Sequence, residues 1–298
     1  MKHFYCILCL AFFSCVTKAQ PLDGIDYIGI LKYGGGYSTT TVADMPSFTY
    51  KRSSPELAAL RKDYKLDSIA GFGNEESRVL NILHWVHNTV KHDGQNESGI
   101  AELNGRAILD AVRERGIGVS CGELATLLND CYLAMGWASR KIYCLPLDSA
   151  KVDHDSHVIN AVYLSSKQKW IWVDPTHDAY IMDETGELLS IEEVRARIIS
   201  GKPLIVNPDA NWNRRLSSVK SYYLLRYMAK NLYMLYTPLS SEFGYESKTS
   251  NTPVTYVYLY PRNHPGKIET KSEVFRHYIG KNATVYRITN AEEFWKKP

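Results

Sequence analysis

Cys121 sits in the stretch Gly118-Val119-Ser120-Cys121-Gly122-Glu123-Leu124. Ser120 and Glu123 have the S-x-x-E spacing of a capping box, in which the serine caps a helix and the glutamate reaches back to the serine backbone. Cys121 is then the first helical residue. Backbone N–H groups without partners and the helix dipole favour an anion there, which lowers a thiol pKa and makes a thiolate available as a nucleophile. Gly122 leaves room for a substrate to approach. Cys131 belongs instead to the apolar stripe of the same helix. The competing account of Cys121 is a packed structural thiol, a common role for free cysteines.

A cysteine nucleophile needs a base and a group that orients the base. His157 opens the strand-like run HVINAVYL, and Asp174 ends another strand within the run KWIWVDP. The polar turn Ser165-Ser166-Lys167-Gln168 closes a hairpin between them. A two-residue loop puts Asp174 directly opposite His157. A four-residue loop puts it opposite Ile159, one diagonal step away. Both keep the two side chains on one face and in reach, whereas an odd-length or bulged loop would separate them.

These residues require a helix followed by paired strands. Leu124, Leu127, Leu128, Cys131 and Met135 follow the i, i+3, i+4, i+7, i+11 spacing of one helical face, and Gly136 supplies a stop. Earlier helices are expected from Pro55 onward, over 75–90, and over 105–114 ahead of Gly116. Strands are expected at SRKIYCL, HVINAVYL and KWIWVDP, then a serine-capped helix at SIEEVRARIIS, and strands again at 252–261 and NATVYRIT. Residues 21–55 read as an irregular segment wrapped on the main body. Residues 217–236 are apolar and tyrosine-rich on nearly every side, and periodicity does not choose between a buried helix and paired strands. Helix then strands, without strict alternation, is an α+β pattern.

The order Cys at a helix start, Gly136-Trp137-Ala138-Ser139-Arg140 leading into a strand, His157 opening another, and WIWVDPT ending at Thr176 resembles the transglutaminase-like superfamily, whose core is papain-like. The resemblance runs over about 106–176. It implies a nucleophile helix packed on an antiparallel sheet, with Cys121 as nucleophile, His157 as general base and Asp174 as its orienter. It further implies acyl chemistry at an amide through a thioester: cleavage, or transfer to an amine. The chain departs from the family after the histidine, where Val158-Ile159-Asn160-Ala161 replaces the usual nearby tryptophan and acid, so the substrate groove is expected to differ. The family draws an oxyanion side chain from upstream, for which Trp85 and Gln95 are the candidates. Stand-alone secreted members resemble hydrolases or peptidases more than crosslinkers, and no calcium loop of the animal crosslinking enzymes is recognisable, so no metal and no cofactor are expected.

The remaining sequence bounds the setting. Residues 1–20 pair an early lysine, an almost wholly apolar run over 4–16 and small residues near Thr17-Lys18-Ala19. This is the pattern of a secretory signal peptide, too short for a mature membrane span, and it predicts a secreted or periplasmic protein. The rival reading is a lipoprotein anchored at Cys15. Removing the leader would remove Cys6, Cys9 and Cys15 and leave Cys121, Cys131 and Cys144, an odd set that is no disulfide scaffold. Formal charge is +3 over 298 residues. Two of those charges are Lys2 and Lys18, which leaves nothing resembling a nucleic-acid or anionic-membrane footprint. No later stretch is apolar enough for a transmembrane span. Residues 21–298 read as one globular unit with its core at about 75–200, an N-terminal wrap at 21–74 and a C-terminal extension at 201–298.

Three further readings compete. His154, His157 and His177 with Asp155, Asp174 and Asp178 are a conceivable metal cluster, but H-x-x-H outside a helix is a poor zinc pattern; His154 and His177 read as solvated loop residues. Tyr256, Tyr258 and Tyr260 share one strand face and are candidates for sugar stacking, against packing as the ordinary role of strand tyrosines. Asn96-Glu97-Ser98 and Asn282-Ala283-Thr284 match the glycosylation triplet. Two function classes follow: an enzyme acting on a protein, peptide or glycan-linked amide, or a non-catalytic binding module on the same fold.

Overall fold

The computed structural model describes residues 24–41, 45–148, 156–249, 252–274 and 281–298. The leader residues, His154 and Asp155 lie outside them. Helices start where short polar side chains can cap them. Asp26 caps α1 (Tyr27–Gly34), Ser54 caps α2 (Pro55–Asp63), Asn74 caps α3 (Glu75–Thr89) and Asn104 caps α4 (Gly105–Arg115). Ser120 caps α5 (Cys121–Ala134) and Ser190 caps α6 (Ile191–Ser200), each with a complete capping box. Such a cap is worth about 1 kcal/mol. Gly116 ends α4 at φ 63°, a left-handed conformation that glycine adopts without a steric penalty. Helix α1 lies in the segment expected to be irregular; its short length and the surrounding glycines conceal its period.

Seven strands form one sheet: β1 (Ser139–Leu145), β2 (His157–Leu164), β3 (Lys169–Val173), β4 (Met234–Pro238), β5 (Val254–Leu259), β6 (Lys271–Val274) and β7 (Ala283–Ile288), in the order β6-β7-β5-β4-β1-β2-β3. All neighbours are antiparallel except β5 and β7. Strands beyond residue 201 thus continue the sheet begun by β1–β3. The molecule is an α+β fold with a mostly antiparallel sheet.

Both faces of the sheet are covered. On one, Val162, Leu164, Ile171 and Val173 pack with the buried residues of α2–α5. On the other, Ile142, Cys144, Ile159 and Ala161 pack with Leu31 of α1, Val194 and Ile198 of α6, and the 223–235 segment. Every residue of β2 is therefore buried, and its alternation sorts side chains between two cores, not between core and water. Helix α5 is enclosed from Leu124 to Ala134. Its polar residues are satisfied: Asn129 donates to Ser241 Oγ at 3.0 Å, and Asp130 accepts from the Gly105 N–H at 2.7 Å.

The ambiguous stretch at 217–236 is both things in turn. It is helical over Lys220–Asn231, with a wide π-helical turn at Tyr223–Met228, and then becomes strand β4. Strand β4 is buried throughout, and the helical half carries apolar and tyrosine side chains on its exposed face too, with Tyr222 56% exposed, so neither shows an amphipathic period. Tyr256 is not a sugar platform, because it is fully buried and its hydroxyl donates to Glu246 Oε1 at 2.6 Å. Tyr258 stacks on Tyr236 with ring centroids 4.5 Å apart. The described helices include none long and apolar enough to cross a membrane.

Candidate active site

Cys121 is the first residue of α5, as the capping box requires. Glu123 N–H donates to Ser120 Oγ at 3.3 Å, and Ser120 N–H donates to Glu123 Oε2 at 2.7 Å. The hydroxyl of Ser98 donates to the other carboxylate oxygen of Glu123. The helix start is brought against the sheet by polar contacts to β1 and β2: Asn160 Nδ2 donates to Ala125 O at 2.9 Å, and Lys141 Nζ to Thr126 Oγ1 at 2.9 Å. Cys121 is half-buried, while Cys131 and Cys144 are buried, and all three are free.

The β2–β3 hairpin pairs Leu164 with Lys169 and Asn160 with Val173. This is the four-residue loop, and Asp174 falls one diagonal step from His157. His157 Nε2 lies 2.8 Å from Asp174 Oδ2, with both side chains buried. Two more donors fix the carboxylate. Tyr223 hydroxyl donates to Oδ2 at 2.6 Å, and the Thr176 N–H donates to Oδ1 at 2.9 Å. Nε2 being taken by Asp174, Nδ1 is the ring atom left for the Cys121 thiol, to which His157 is hydrogen-bonded.

Burial alone would push the Cys121 thiol up, but the hydrogen bonds of His157 and His92 and the His157 cation outweigh it and hold the thiol down at about 6. Burial likewise favours a neutral His157, yet the Asp174 carboxylate and then Cys121 raise it to about 10. Burial opposes the Asp174 charge, and the His157 cation outweighs it to keep the carboxyl well below its usual range. Between those limits the pair is thiolate and imidazolium, the state that attacks an acyl carbon. Cys131 and Cys144 behave oppositely, since burial drives both thiols well above their ordinary value.

The surroundings include groups that sequence spacing did not reveal. Tyr223 and Tyr227 come from the wide turn, with Tyr227 5.2 Å from His157 between ring centroids. His177 is not a solvated loop residue. It packs edge-on against His157 at 5.7 Å and over Tyr223 at 4.5 Å, with Nδ1 2.7 Å from Ser218 Oγ, and burial lowers it to about 4. Neither oxyanion candidate is among the side chains that act on the thiol. Trp85 packs against Tyr64 at 6.1 Å, and Gln95 is an exposed loop residue whose N–H donates to Asp93 Oδ1. His92 is instead the upstream side chain on the thiol. Its neighbours pair beside the helix start, where Val119 N–H donates to Lys91 O at 2.9 Å and Asp93 N–H to Val119 O at 2.7 Å. This single bridge leaves no periodic trace in the sequence.

The ligand atoms of His157, Asp174 and His177 lie close enough to hold a metal ion, as do those of His84, Asp178 and Asp209. In the first set, the Asp174 oxygens are committed to Thr176, Tyr223 and His157, and His177 Nδ1 to Ser218. In the second set, His84 Nδ1 pairs with Asp178 Oδ2 at 2.7 Å, a hydrogen-bonded contact.

Residues 63–175 match the model of the transglutaminase-like superfamily. This segment is a transglutaminase-like core. It takes in α3, α4, α5 and β1–β3, and it ends one residue after Asp174. Outside the matched segment lie Tyr223, Ser218 and the 211–217 hairpin that touch the site. Among solved structures, the chain is similar to a "Putative Cysteine Protease" from Cytophaga hutchinsonii, at 18% identity and TM-score 0.32, covering 52% of this chain and 49% of that one. It is also similar to a "Putative Protease" from Parabacteroides distasonis, at 17% identity and TM-score 0.26, covering 41% of this chain and 27% of that one. The chain thus spans about half the length of the first and about a quarter of the second. No curated protein matches it.

Proposed function

We propose that this protein is a cysteine-dependent amide hydrolase acting on a protein, peptide or glycan-linked amide outside the cytoplasm, with Cys121 as nucleophile, His157 as acid and base, and Asp174 as orienter. The observation that carries this reading is the continuous chain from a half-buried cysteine at a helix start, through His157, to a carboxylate 2.8 Å beyond it. The thiolate sulfur bonds to the acyl carbon while the carbonyl electron pair moves to oxygen. Collapse re-forms the carbonyl and breaks the C–N bond, and His157 gives its proton to the departing nitrogen. Neutral His157 then takes a proton from water as that water attacks the thioester, and the thiolate leaves.

Hydrolysis is preferred over transfer by analogy, since stand-alone secreted members of the superfamily that the chain resembles are hydrolases or peptidases more than crosslinkers. The apolar leader supports an extracytoplasmic setting, and the mass of the mature N-terminus checks it.

The test is incubation of wild type and Cys121→Ala with dimethylcasein, with and without dansylcadaverine. Release of peptides or free ammonia that depends on Cys121, without dansyl incorporation, is expected. Dansyl incorporation as the dominant product would make the protein an acyltransferase. A wild type that binds glycan or peptide ligands but never forms a Cys121 acyl adduct, with casein or activated esters, would be a binding module.

A further inference from the structure

The triad does not use the second histidine on the Cys121 thiol, His92. Thiolate attack on a carbonyl creates an anionic oxygen next to the sulfur, and that oxygen needs donors placed before the charge appears. The Cys121 N–H, at a helix start where no intrahelical acceptor exists, supplies one. A second is available from His92, whose backbone bridges to Val119 two residues before Cys121.

The His92 ring is held in a defined state. Trp212 Nε1–H donates to His92 Nδ1 at 3.0 Å. A neutral ring that accepts at Nδ1 carries its proton on Nε2, and Nε2 is also the nitrogen left to reach the thiol. The backbone is clamped as well. His92 N–H donates to Asn213 Oδ1 at 2.7 Å, and Asn213 Nδ2 donates back to His92 O at 2.9 Å. Asn213 follows Trp212 at the tip of the 211–217 hairpin, with φ 52°, a conformation asparagine tolerates better than most residues. The hairpin is itself anchored to the triad region, since Asn211 N–H donates to His177 O at 2.8 Å and Ser218 holds the His177 ring. Ring, proton and backbone of His92 are thus set by two residues outside the matched core.

We propose that His92 is a catalytic residue whose Nε2–H, with the Cys121 N–H, holds the oxyanion of the tetrahedral intermediate, and that Trp212 and Asn213 are positioning residues that set its tautomer and place. The assignment rests on the thioester reading above and names its oxyanion side chain. In the step concerned, the S–C bond forms and the carbonyl π pair becomes a lone pair on oxygen, which accepts both hydrogen bonds. Collapse returns the pair and expels the leaving group. His92 keeps its proton throughout.

Two reagents separate this role from a structural one. Acylation by p-nitrophenyl acetate passes through an oxyanion, whereas alkylation by iodoacetamide does not. Both rates at Cys121 are compared on the high-pH plateau, where the thiol is fully ionised. His92→Ala is expected to slow acylation by about 100-fold or more while leaving the alkylation plateau nearly unchanged. His92→Gln, which keeps a side-chain N–H, recovers most of that loss. Trp212→Phe slows acylation by a smaller factor, and the 15N spectrum of the His92 ring changes from the Nε2–H tautomer to a mixture. If His92→Ala fails to fold, the Gln and Phe variants carry the same comparison. Equal losses in both reactions, or unchanged acylation, would overturn the role of His92. A wild type that is alkylated but never acylated at Cys121 sinks the thioester reading, and the assignment with it.

Discussion

At Cys121 two physical effects oppose each other. Burial disfavours a thiolate, and hydrogen bonds from two imidazoles favour it; the second wins, giving a thiol held down at about 6. Iodoacetamide labelling of Cys121 should therefore rise with a midpoint near pH 6 in native protein, with Cys131 and Cys144 unlabelled until unfolding. Mapping the labelled cysteines by mass spectrometry checks this. For an amide or ester substrate, kcat/KM should be bell-shaped. The acid limb near pH 6 is thiol ionisation, and the alkaline limb, toward pH 10, is loss of the His157 proton needed by the leaving group. Tyr223→Phe removes a hydrogen bond to a fully buried carboxylate and should cost about 1.5–3 kcal/mol in denaturant unfolding. Cys121, His157 and Asp174 were legible in the sequence because a capping box and a hairpin each fix direction over a few residues. His92, Tyr223 and His177 were not, since each reaches the site through a contact between distant segments or a loop fold.

The elements that aim these residues are local devices set on a buried frame. Ser120→Ala removes the cap that makes Cys121 the first helical residue, which costs about 1 kcal/mol. It should also raise the labelling midpoint of Cys121, as the helix start frays and its dipole is less well placed. Melting and labelling curves of the same variant test both effects. Leu128, fully buried on α5, should cost about 2–5 kcal/mol when cut to alanine, with little effect on thiol ionisation in the folded fraction. Caps and stops were readable because serine, asparagine and glycine act on their immediate backbone. Helix α1 was hidden by its short length and surrounding glycines, and the helix-to-strand change near Asn231 by apolar and tyrosine side chains that surround both halves.

For the molecule as a whole, the sheet binds the matched core and the later strands into one hydrogen-bonded array, with α5 enclosed between sheet and helices. That enclosure leaves Asp130 fully buried, and desolvation raises it to about 7 against the pull of the Gly105 N–H and Lys141. A carboxyl raised in the folded state stabilises the fold most at low pH, and that contribution is lost as pH rises toward 7. Asp130→Asn keeps an acceptor for Gly105, so its melting temperature should fall less than that of wild type between pH 5 and 8. Identical slopes in calorimetry would show that Asp130 does not couple folding to protons.

The sequence by itself determined the α+β class, the capped helix carrying Cys121, and the hairpin that sets His157 beside Asp174. Each depends on spacings of a few residues, within which backbone geometry leaves few choices. Only the tertiary structure decided what surrounds them. His92 meets the thiol through a single backbone bridge and a hairpin more than a hundred residues away in the chain. Tyr223 reaches Asp174 from a wide helical turn. Such contacts come from packing between distant segments, where burial and hydrogen-bond satisfaction select partners that no local period encodes.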